Sequence, residues 1–214
     1  SHTGSLAGEA RVMMQAMEQA GVLVADRLDE VVPMLDALSR LPVPEGRRIA
    51  VVGGGGGHAT LCADALEKAG LDVPEFSEET KAAVSLHLPP RAGVRNPVDF
   101  TGASEREIAV YAKVPEITHS TDADAVLLYG LYAGYRTDLE APGNTYVNTS
   151  GLIVDMVRRT GKPAIMQTVY ADRDHPSLRI LREGGVPVMQ SVEHAAAALA
   201  ALCDYGAYRR REEQ

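Results

Sequence analysis

Short apolar segments that alternate with helix-like segments constrain the fold of this chain more than any other feature. The apolar runs Ile49–Val52, Ala125–Tyr129, Pro163–Val169 and Val186–Met189 are typical of strands buried on both faces. Asn96–Phe100 is also predicted to be extended, because proline disfavours a helix there. This alternation predicts an α/β fold: a doubly wound parallel sheet of about five strands, in an order such as 2-1-3-4-5, with helices on both faces.

Helical spacing of apolar residues, ended by glycine or proline, predicts the intervening elements. The predicted helices lie at 8–20, 28–41, 59–69, 78–86, 104–113, 151–160, 175–183 and 191–208. A loop of about twenty residues, roughly 130–149, follows the strand Ala125–Tyr129. The segment Tyr129–Arg136, where the chain leaves the strand, contains Tyr129, Tyr132, Tyr135 and Arg136 and makes the loop a candidate lid or binding loop. A surface loop packed on a partner domain is the alternative.

The chain is predicted to have two parts. The Pro-rich segment Pro42–Gly46 breaks the second helix, so we place a boundary there, with an N-terminal helical appendage at 1–46 and the main domain at 47–214. The chain opens without Met, and we expect it to be a piece of a longer protein. Residues 1–8 are then expected to be mobile or held by a neighbouring molecule.

Composition excludes several classes of function. The net charge of −8 disfavours non-specific nucleic-acid binding, which needs lysine and arginine to neutralise phosphates. Cys62 and Cys203 lie in helix-like surroundings, which indicates core residues, with neither a disulfide framework nor a metal site. A reducing cytoplasm is the expected compartment. No apolar run approaches the roughly 20 residues that span a bilayer, so no membrane partner is predicted.

The glycine run Gly53–Gly57 joins a predicted strand to a predicted helix. Glycines let backbone N–H groups close around an anion, and the helix N-terminus adds positive partial charge, so Gly54, Gly55, Gly56 and Gly57 are candidate phosphate ligands. A dinucleotide site and a tight turn without ligand are the alternatives. The dinucleotide pattern lacks its third glycine, since His58 and Ala59 occupy the candidate positions, and no lysine follows as in a phosphate-binding P-loop.

Two histidines are candidates for chemistry. His58 opens the helix after the glycines, where the helix dipole favours the neutral ring; it can contact a phosphate or cap the helix. His2 lies among small residues, and a neutral imidazole can accept a phosphoryl group, although a histidine this near a chain end is more often solvated. The remaining histidines are predicted to be structural: His87, His119, His175 and His194.

A second anion site is predicted where the long loop ends. Asn148, Thr149, Ser150 and Gly151 offer N-cap residues for the helix that follows. We therefore include Thr149, Ser150 and Gly151 among the candidate phosphate-binding residues.

Several segments together resemble a known family. Ser1–Gly8 resembles the phosphohistidine loop of ADP-forming acetyl-CoA synthetases and related nucleoside-diphosphate-forming acyl-CoA synthetases. Ala20–Val22 and Arg27–Glu30 resemble the segment that follows this loop in the family. Arg95–Gly102 and Leu181–Val188 resemble segments of the family's succinyl-CoA-ligase-like flavodoxin domain. Where the family usually has an Asn-Ala-Gly-Gly turn, this chain has five glycines and then His58.

The resemblance implies a reversible reaction in which acyl-CoA, ADP and phosphate give acid, CoA and ATP. It implies that His2 carries the phosphoryl group, although Gly57-His58-Ala59 also echoes the phosphohistidine motif of succinyl-CoA synthetases. No tightly bound cofactor is expected in this segment, whereas the whole enzyme would use CoA, ATP or ADP, and Mg. The implied partners are a CoA-binding domain and an ATP-grasp domain or subunit, in an oligomer.

Two other functions remain open from the sequence. One is a non-catalytic, flavodoxin-like regulatory module of a fused acetyltransferase. The other is a free-standing nucleotide-binding flavodoxin-like protein. An adjacent ATP-grasp segment would favour the synthetase, and an adjacent acetyltransferase segment would favour the regulatory module.

Overall fold

The structure, a computed structural model, describes residues 10–134 and 145–213 and contains one parallel sheet. Its strands lie in the order β2-β1-β3-β4-β5. They are β1 Ile49–Gly53, β2 Val98–Asp99, β3 Ala125–Tyr129, β4 Ala164–Gln167 and β5 Val188–Met189. Every neighbouring pair is parallel, so the predicted fold and strand order are confirmed.

Helices connect these strands and lie on both faces of the sheet. They are α1 Ala10–Gln19, α2 Val31–Arg40, α3 Gly56–Lys68, α4 Glu78–Ser85, α5 Val110–Thr121, α6 Tyr146–Thr160, α7 Pro176–Glu183 and α8 Val192–Glu212. Short 3-10 turns lie at Leu28–Glu30 and Ala103–Glu105. Strand side chains alternate between two cores: Val52 and Leu128 pack under α5 and α6, whereas Val51 and Leu127 pack under α3 and α8.

Two helix boundaries differ clearly from the prediction. The helix predicted at 104–113 is wrong in position, because α5 spans Val110–Thr121 and continues through Pro115. Proline weakens a helix interior, but Val114 and Thr118 are completely buried on this helix, so packing outweighs that preference. The helix predicted near 151–160 begins five residues earlier, at Tyr146, and ends where Gly161 adopts φ 66°.

The segment predicted to be an appendage packs on the main domain. Ala37 of α2 and Leu41, just after α2, belong to the same core as Ile49 of β1 and Leu199 of α8. Two apolar residues of the predicted helical spacing, Val32 and Leu35, are exposed on α2. One side of α2 is therefore buried and the other is exposed, and the boundary at 46 stays a prediction.

The described residues contain no helix that is both long and apolar enough to cross a membrane. They also contain no group of three or more His, Cys, Asp or Glu side chains that could hold a metal ion. Cys62 and Cys203 are both buried free thiols, as predicted, and burial raises the pKa of each to about 12.

Candidate functional site

The glycine run forms a tight turn at the C-terminal edge of the sheet. β1 ends at Gly53, and α3 begins at Gly56 after Gly55, which adopts φ 112°. A Cβ atom on Gly53 would lie 2.1 Å from the Tyr129 carbonyl oxygen of β3. Only glycine therefore allows β1 and β3 to stay paired here, which is one physical reason for the start of the glycine run.

The first turn of α3 presents unused hydrogen-bond donors. Ala59 N–H donates to the Gly55 carbonyl oxygen at 2.9 Å, but within the described residues no acceptor contacts the N–H groups of Gly56, Gly57 or His58. The first N–H groups of a helix have no partner in that helix and carry positive partial charge. Gly56 and Gly57 are exposed, and a Cβ on Gly57 would meet no atom within 4 Å. This is an open end of a helix that can hold an anion.

Asp99, at the end of β2, holds the loop from one side. Its Oδ1 accepts hydrogen bonds from Gly55 N–H at 2.9 Å and Thr101 N–H at 3.0 Å. Its Oδ2 lies 3.2 Å from the place of a Gly56 Cβ. The sequence analysis did not include Asp99 in the site, although its place at the end of a predicted extended segment could have indicated it. The carboxylate fixes the turn and places a negative charge beside it.

His58 lies in the first turn of α3, as predicted. Its ring packs edge-on against Tyr129, with ring centroids 5.4 Å apart. Burial lowers the pKa of His58, and interaction with the Gln167 side chain partly opposes that effect. The predicted neutral ring therefore agrees with the direction of the pKa shift, but burial is its main cause, whereas the sequence-based reasoning used the helix dipole.

Gln167, which sequence reasoning also missed, ends β4 at the same edge. Its side chain is 1% exposed, and its Nε2 donates to the Gln190 carbonyl oxygen at 2.7 Å. Its Oε1 is buried and has no hydrogen-bond partner among the described residues. The Gln167 side chain acts to raise the pKa of His58, although the two groups are not within hydrogen-bond geometry.

The second predicted anion site has a different geometry. Thr145 is the N-cap of α6, and its Oγ1 accepts a hydrogen bond from Asn148 N–H at 3.1 Å. Thr149, Ser150 and Gly151 consequently lie inside the helix, so the predicted N-cap role for 148–151 is wrong. Thr149 and Ser150 are buried, and the Ser150 hydroxyl is 2.8 Å from the Tyr132 hydroxyl. Phosphate binding by these residues stays a prediction.

Two buried tyrosines, Tyr129 and Tyr132, lie where β3 ends and the long loop begins. Tyr129 donates its hydroxyl to the Val98 carbonyl oxygen at 2.9 Å, and Tyr132 donates to the Tyr146 carbonyl oxygen at 3.0 Å. Tyr132 is completely buried and packs edge-on against Tyr111 and Tyr146. Tyr129 and Tyr132 of the predicted lid are therefore packing groups. Tyr135 and Arg136 of the predicted lid lie outside the described residues.

The other histidines make different contacts where the structure describes them. His2 and the rest of Ser1–Gly8 lie outside the described residues. His175 caps α7, where its Nδ1 accepts from Ser177 N–H at 3.3 Å. His119 is completely buried beneath α6, and His194 lies 3.5 Å from an Asp29 oxygen.

Comparison with known proteins finds relatives that are similar over nearly the whole chain. The chain is 32% identical over 207 residues to subunit alpha of ADP-forming acetate–CoA ligase II of Pyrococcus furiosus, covering 94% of this chain and 43% of that subunit. It is 29% identical over 216 residues to subunit alpha of isozyme I, covering 100% of this chain and 45% of that subunit. The chain thus spans less than half the length of the curated relatives it matches.

Solved structures show the same arrangement. The PH0766 protein of Pyrococcus horikoshii superposes with a TM-score of 0.77 at 27% identity, over 94% of this chain and 45% of that one. No family model matches the chain.

Proposed function

Because this chain belongs to the family of nucleoside-diphosphate-forming acyl-CoA synthetases, we propose that it supplies the part of such an enzyme that handles phosphohistidine. The parent enzyme would interconvert acyl-CoA, ADP and phosphate with acid, CoA and ATP. The P. furiosus relatives are ADP-forming acetate–CoA ligases, and their similarity to this chain supports that class of reaction.

The open first turn of α3 is the observation that carries the proposal. The N–H groups of Gly56, Gly57 and His58 have no acceptor among the described residues and meet at one exposed helix end. A phosphoryl group has oxygens enough to accept from all three and carries the charge that a helix N-terminus stabilises. Gly54 and Gly55 shape the turn, since Gly55 N–H is already bonded to Asp99. The site thus has room and donors for a phosphohistidine brought to it.

His2 is the proposed carrier of the phosphoryl group. Its imidazole would attack the phosphorus of an acyl phosphate, which breaks the P–O bond and releases the acid, and an ADP oxygen would then take the phosphoryl group and free the imidazole. The donors at α3 would hold the phosphoryl group during that transfer. The proposed partners are a CoA-binding domain and an ATP-grasp domain or subunit, which would supply CoA, ATP or ADP, and Mg, in a cytoplasmic oligomer.

Phosphoryl labelling of the full-length enzyme tests the carrier. Incubation with γ-labelled ATP should label the wild-type protein, whereas His2→Ala should remove the label, because alanine has no nucleophile. His87→Ala, a histidine change far from the glycine loop in sequence, should label normally. Normal labelling of His2→Ala together with loss in His58→Ala would assign the nucleophile to His58 instead. An unlabelled wild-type protein would favour the regulatory-module alternative.

The helix end is tested with a matched pair at Gly57, where a new side chain meets open space. Gly57→Asp places a carboxylate beside the bound phosphoryl group, and a repulsion of about 1 kcal/mol or more should slow transfer about fivefold or more. Gly57→Asn has the same size without the charge and should retain most of the rate. Equal rates for the two variants would show that no phosphoryl group binds there.

A further inference from the structure

Gln167 presents a buried acceptor that the proposed function does not use. Its Nε2 donates to the Gln190 carbonyl oxygen at 2.7 Å, which fixes the orientation of the amide, because the reverse orientation would set two oxygens against each other. Its Oε1 is therefore directed away from Gln190 and has no hydrogen-bond partner in the described part of the chain. An acceptor left in this state is costly, so the site calls for a donor.

The His58 ring is placed to be that donor. His58 is the third residue of α3, a position from which a side chain folds back over the start of its helix. The ring is half-buried against Tyr129, the last residue of β3, and Gln167 is the last residue of β4, the strand paired with β3. His58 also contributes one of the three unused N–H groups of the helix end. His58 therefore joins the buried amide to the exposed anion site.

Building on the proposed function, we propose that Gln167 is a positioning residue for His58. Its Oε1 accepts a hydrogen bond from one ring nitrogen, and the other ring nitrogen takes up a proton when a phosphoryl group binds and donates to a phosphoryl oxygen. A neutral imidazole has one N–H donor and an imidazolium has two, so both bonds require the charged ring. One proton moves from solvent to the ring, and no bond to phosphorus forms or breaks in this step.

The side chains that pack around the ring are uncharged, so a bound phosphoryl group would be the main charge acting on it. Tyr129, from β3, is a neutral phenol whose pKa is raised by burial, and Gln167, from β4, is uncharged. Charged and titratable groups of the neighbouring elements include Asp99 beside Gly55 and, at the start of α8, Glu193 and His194. Among the described residues, burial and Gln167 account for the pKa shift of His58. An arriving phosphate dianion would oppose burial and favour the charged ring.

Nitrogen NMR of histidine-labelled full-length protein tests this arrangement directly. The His58 signals are identified by their loss in His58→Gln. We expect one dominant neutral tautomer without phosphate, and a higher His58 pKa once inorganic phosphate is added. Gln167→Met keeps the length of the side chain without its acceptor. It should give a mixture of tautomers and weaken inorganic phosphate binding about three- to tenfold, the effect of losing one hydrogen bond.

Two further variants distinguish a positioning role of Gln167 from a general loss of structure. Gln190→Met makes the same chemical change in the adjacent side chain, while the backbone carbonyl that accepts from Gln167 remains. It should leave the tautomer and the phosphate affinity unchanged. Gln167→Glu retains an acceptor oxygen, and its second oxygen, when protonated, can donate to the Gln190 carbonyl as Nε2 does, so it should keep the single tautomer. If Gln167→Met does not fold, the Gln167→Glu result decides: a mixture of tautomers in that variant overturns the proposal.

The failure of this inference differs from failure of the proposed function. If phosphate shifts the amide signals of Gly56 and Gly57 but Gln167→Met has the wild-type tautomer, the phosphate site stands and the positioning role is wrong. If phosphate shifts neither amide in the wild-type protein, the proposed function fails first. A His58 pKa that phosphate leaves unchanged overturns the proton uptake.

Discussion

At the scale of single residues, two histidines show how burial sets charge. His58 is half-buried in the first turn of α3. His119 on α5 is completely buried and lies near the ammonium group of Lys162. Burial, then the charge of Lys162, lowers the pKa of His119 to about 4. The Lys162 ammonium donates to the carbonyl oxygens of His119 and Ala123, so it is held in this position. The ring therefore remains neutral in the folded state.

His119 should make the stability of the fold depend on pH. Its folded pKa of about 4 lies below its ordinary value of 6.5, so its contribution is fully present above pH 6.5 and is lost as the pH falls toward 4. Between pH 7.5 and 5 the free energy of unfolding should fall by about 2 kcal/mol from this group. Urea unfolding at each pH measures it.

The control for this pH dependence is His119→Leu, which removes the titrating group and retains an apolar side chain. The comparison concerns only the slope with pH, whatever the absolute stability of the variant. The slope between pH 7.5 and 5 should be shallower in the variant. Equal slopes in the two proteins would mean that the pKa of His119 is the same in the folded and unfolded states.

At the scale of elements, the glycine loop combines two different requirements. Gly53 is needed because β1 and β3 approach closely, and Gly55 is needed because its φ of 112° is a conformation that other residues rarely adopt. Gly57 has neither constraint, since it lies in the first turn of α3 with open space beside it. The pairing of strands therefore fixes one end of the run, and access to the helix end determines the other.

Alanine substitutions in the loop should separate these requirements. Gly53→Ala places a methyl group 2.1 Å from the Tyr129 carbonyl oxygen, so β1 and β3 must move apart and stability should fall by about 2 kcal/mol or more. Gly57→Ala should leave stability unchanged or raise it by up to about 1 kcal/mol, because alanine favours a helix. Thermal and urea unfolding check both values. Similar losses in the two variants would contradict the distinction.

At the scale of the whole molecule, α8 ties the N-terminal segment to the sheet. Ala37 of α2 and the adjacent Leu41 share a core with Leu199 of α8, and Arg210 donates to the Pro44 carbonyl oxygen at 3.0 Å. The Cys203 thiol also donates to the Gly46 carbonyl oxygen at 3.3 Å. The proline-rich break in the sequence is therefore held against α8 along much of its length.

These contacts predict that α2 and the sheet unfold together. Amide hydrogen exchange should give the central amides of α2 protection within about tenfold of those in β3, since the same cooperative opening exposes both. Arg210→Ala, which removes a bond to the connecting segment, should lower the protection of α2 and β3 by similar factors. Exchange of α2 about a thousandfold faster than β3 in the wild type would show an independent appendage.

Much of the fold followed from local pattern. Apolar strand runs, glycine stops and the βα alternation predicted the five parallel strands, their order and the glycine turn beside the Tyr129 strand, because both faces of such strands must be covered by helices. Family resemblance in short segments predicted the class of relative that the comparisons found. These properties depend on residues that are close together in the sequence.

The tertiary structure decided what no local pattern contains. Pro115 inside α5 and the early start of α6 depend on packing and capping contacts, which outweigh the preferences of individual residues. Asp99 and Gln167 reach the glycine loop from β2 and β4, which are distant from Gly55 and His58 in the chain. The sequence by itself determined the order of elements and the helix end that faces the ligand edge. Only the folded sheet, by bringing the ends of separate strands to one edge, determined which side chains surround it.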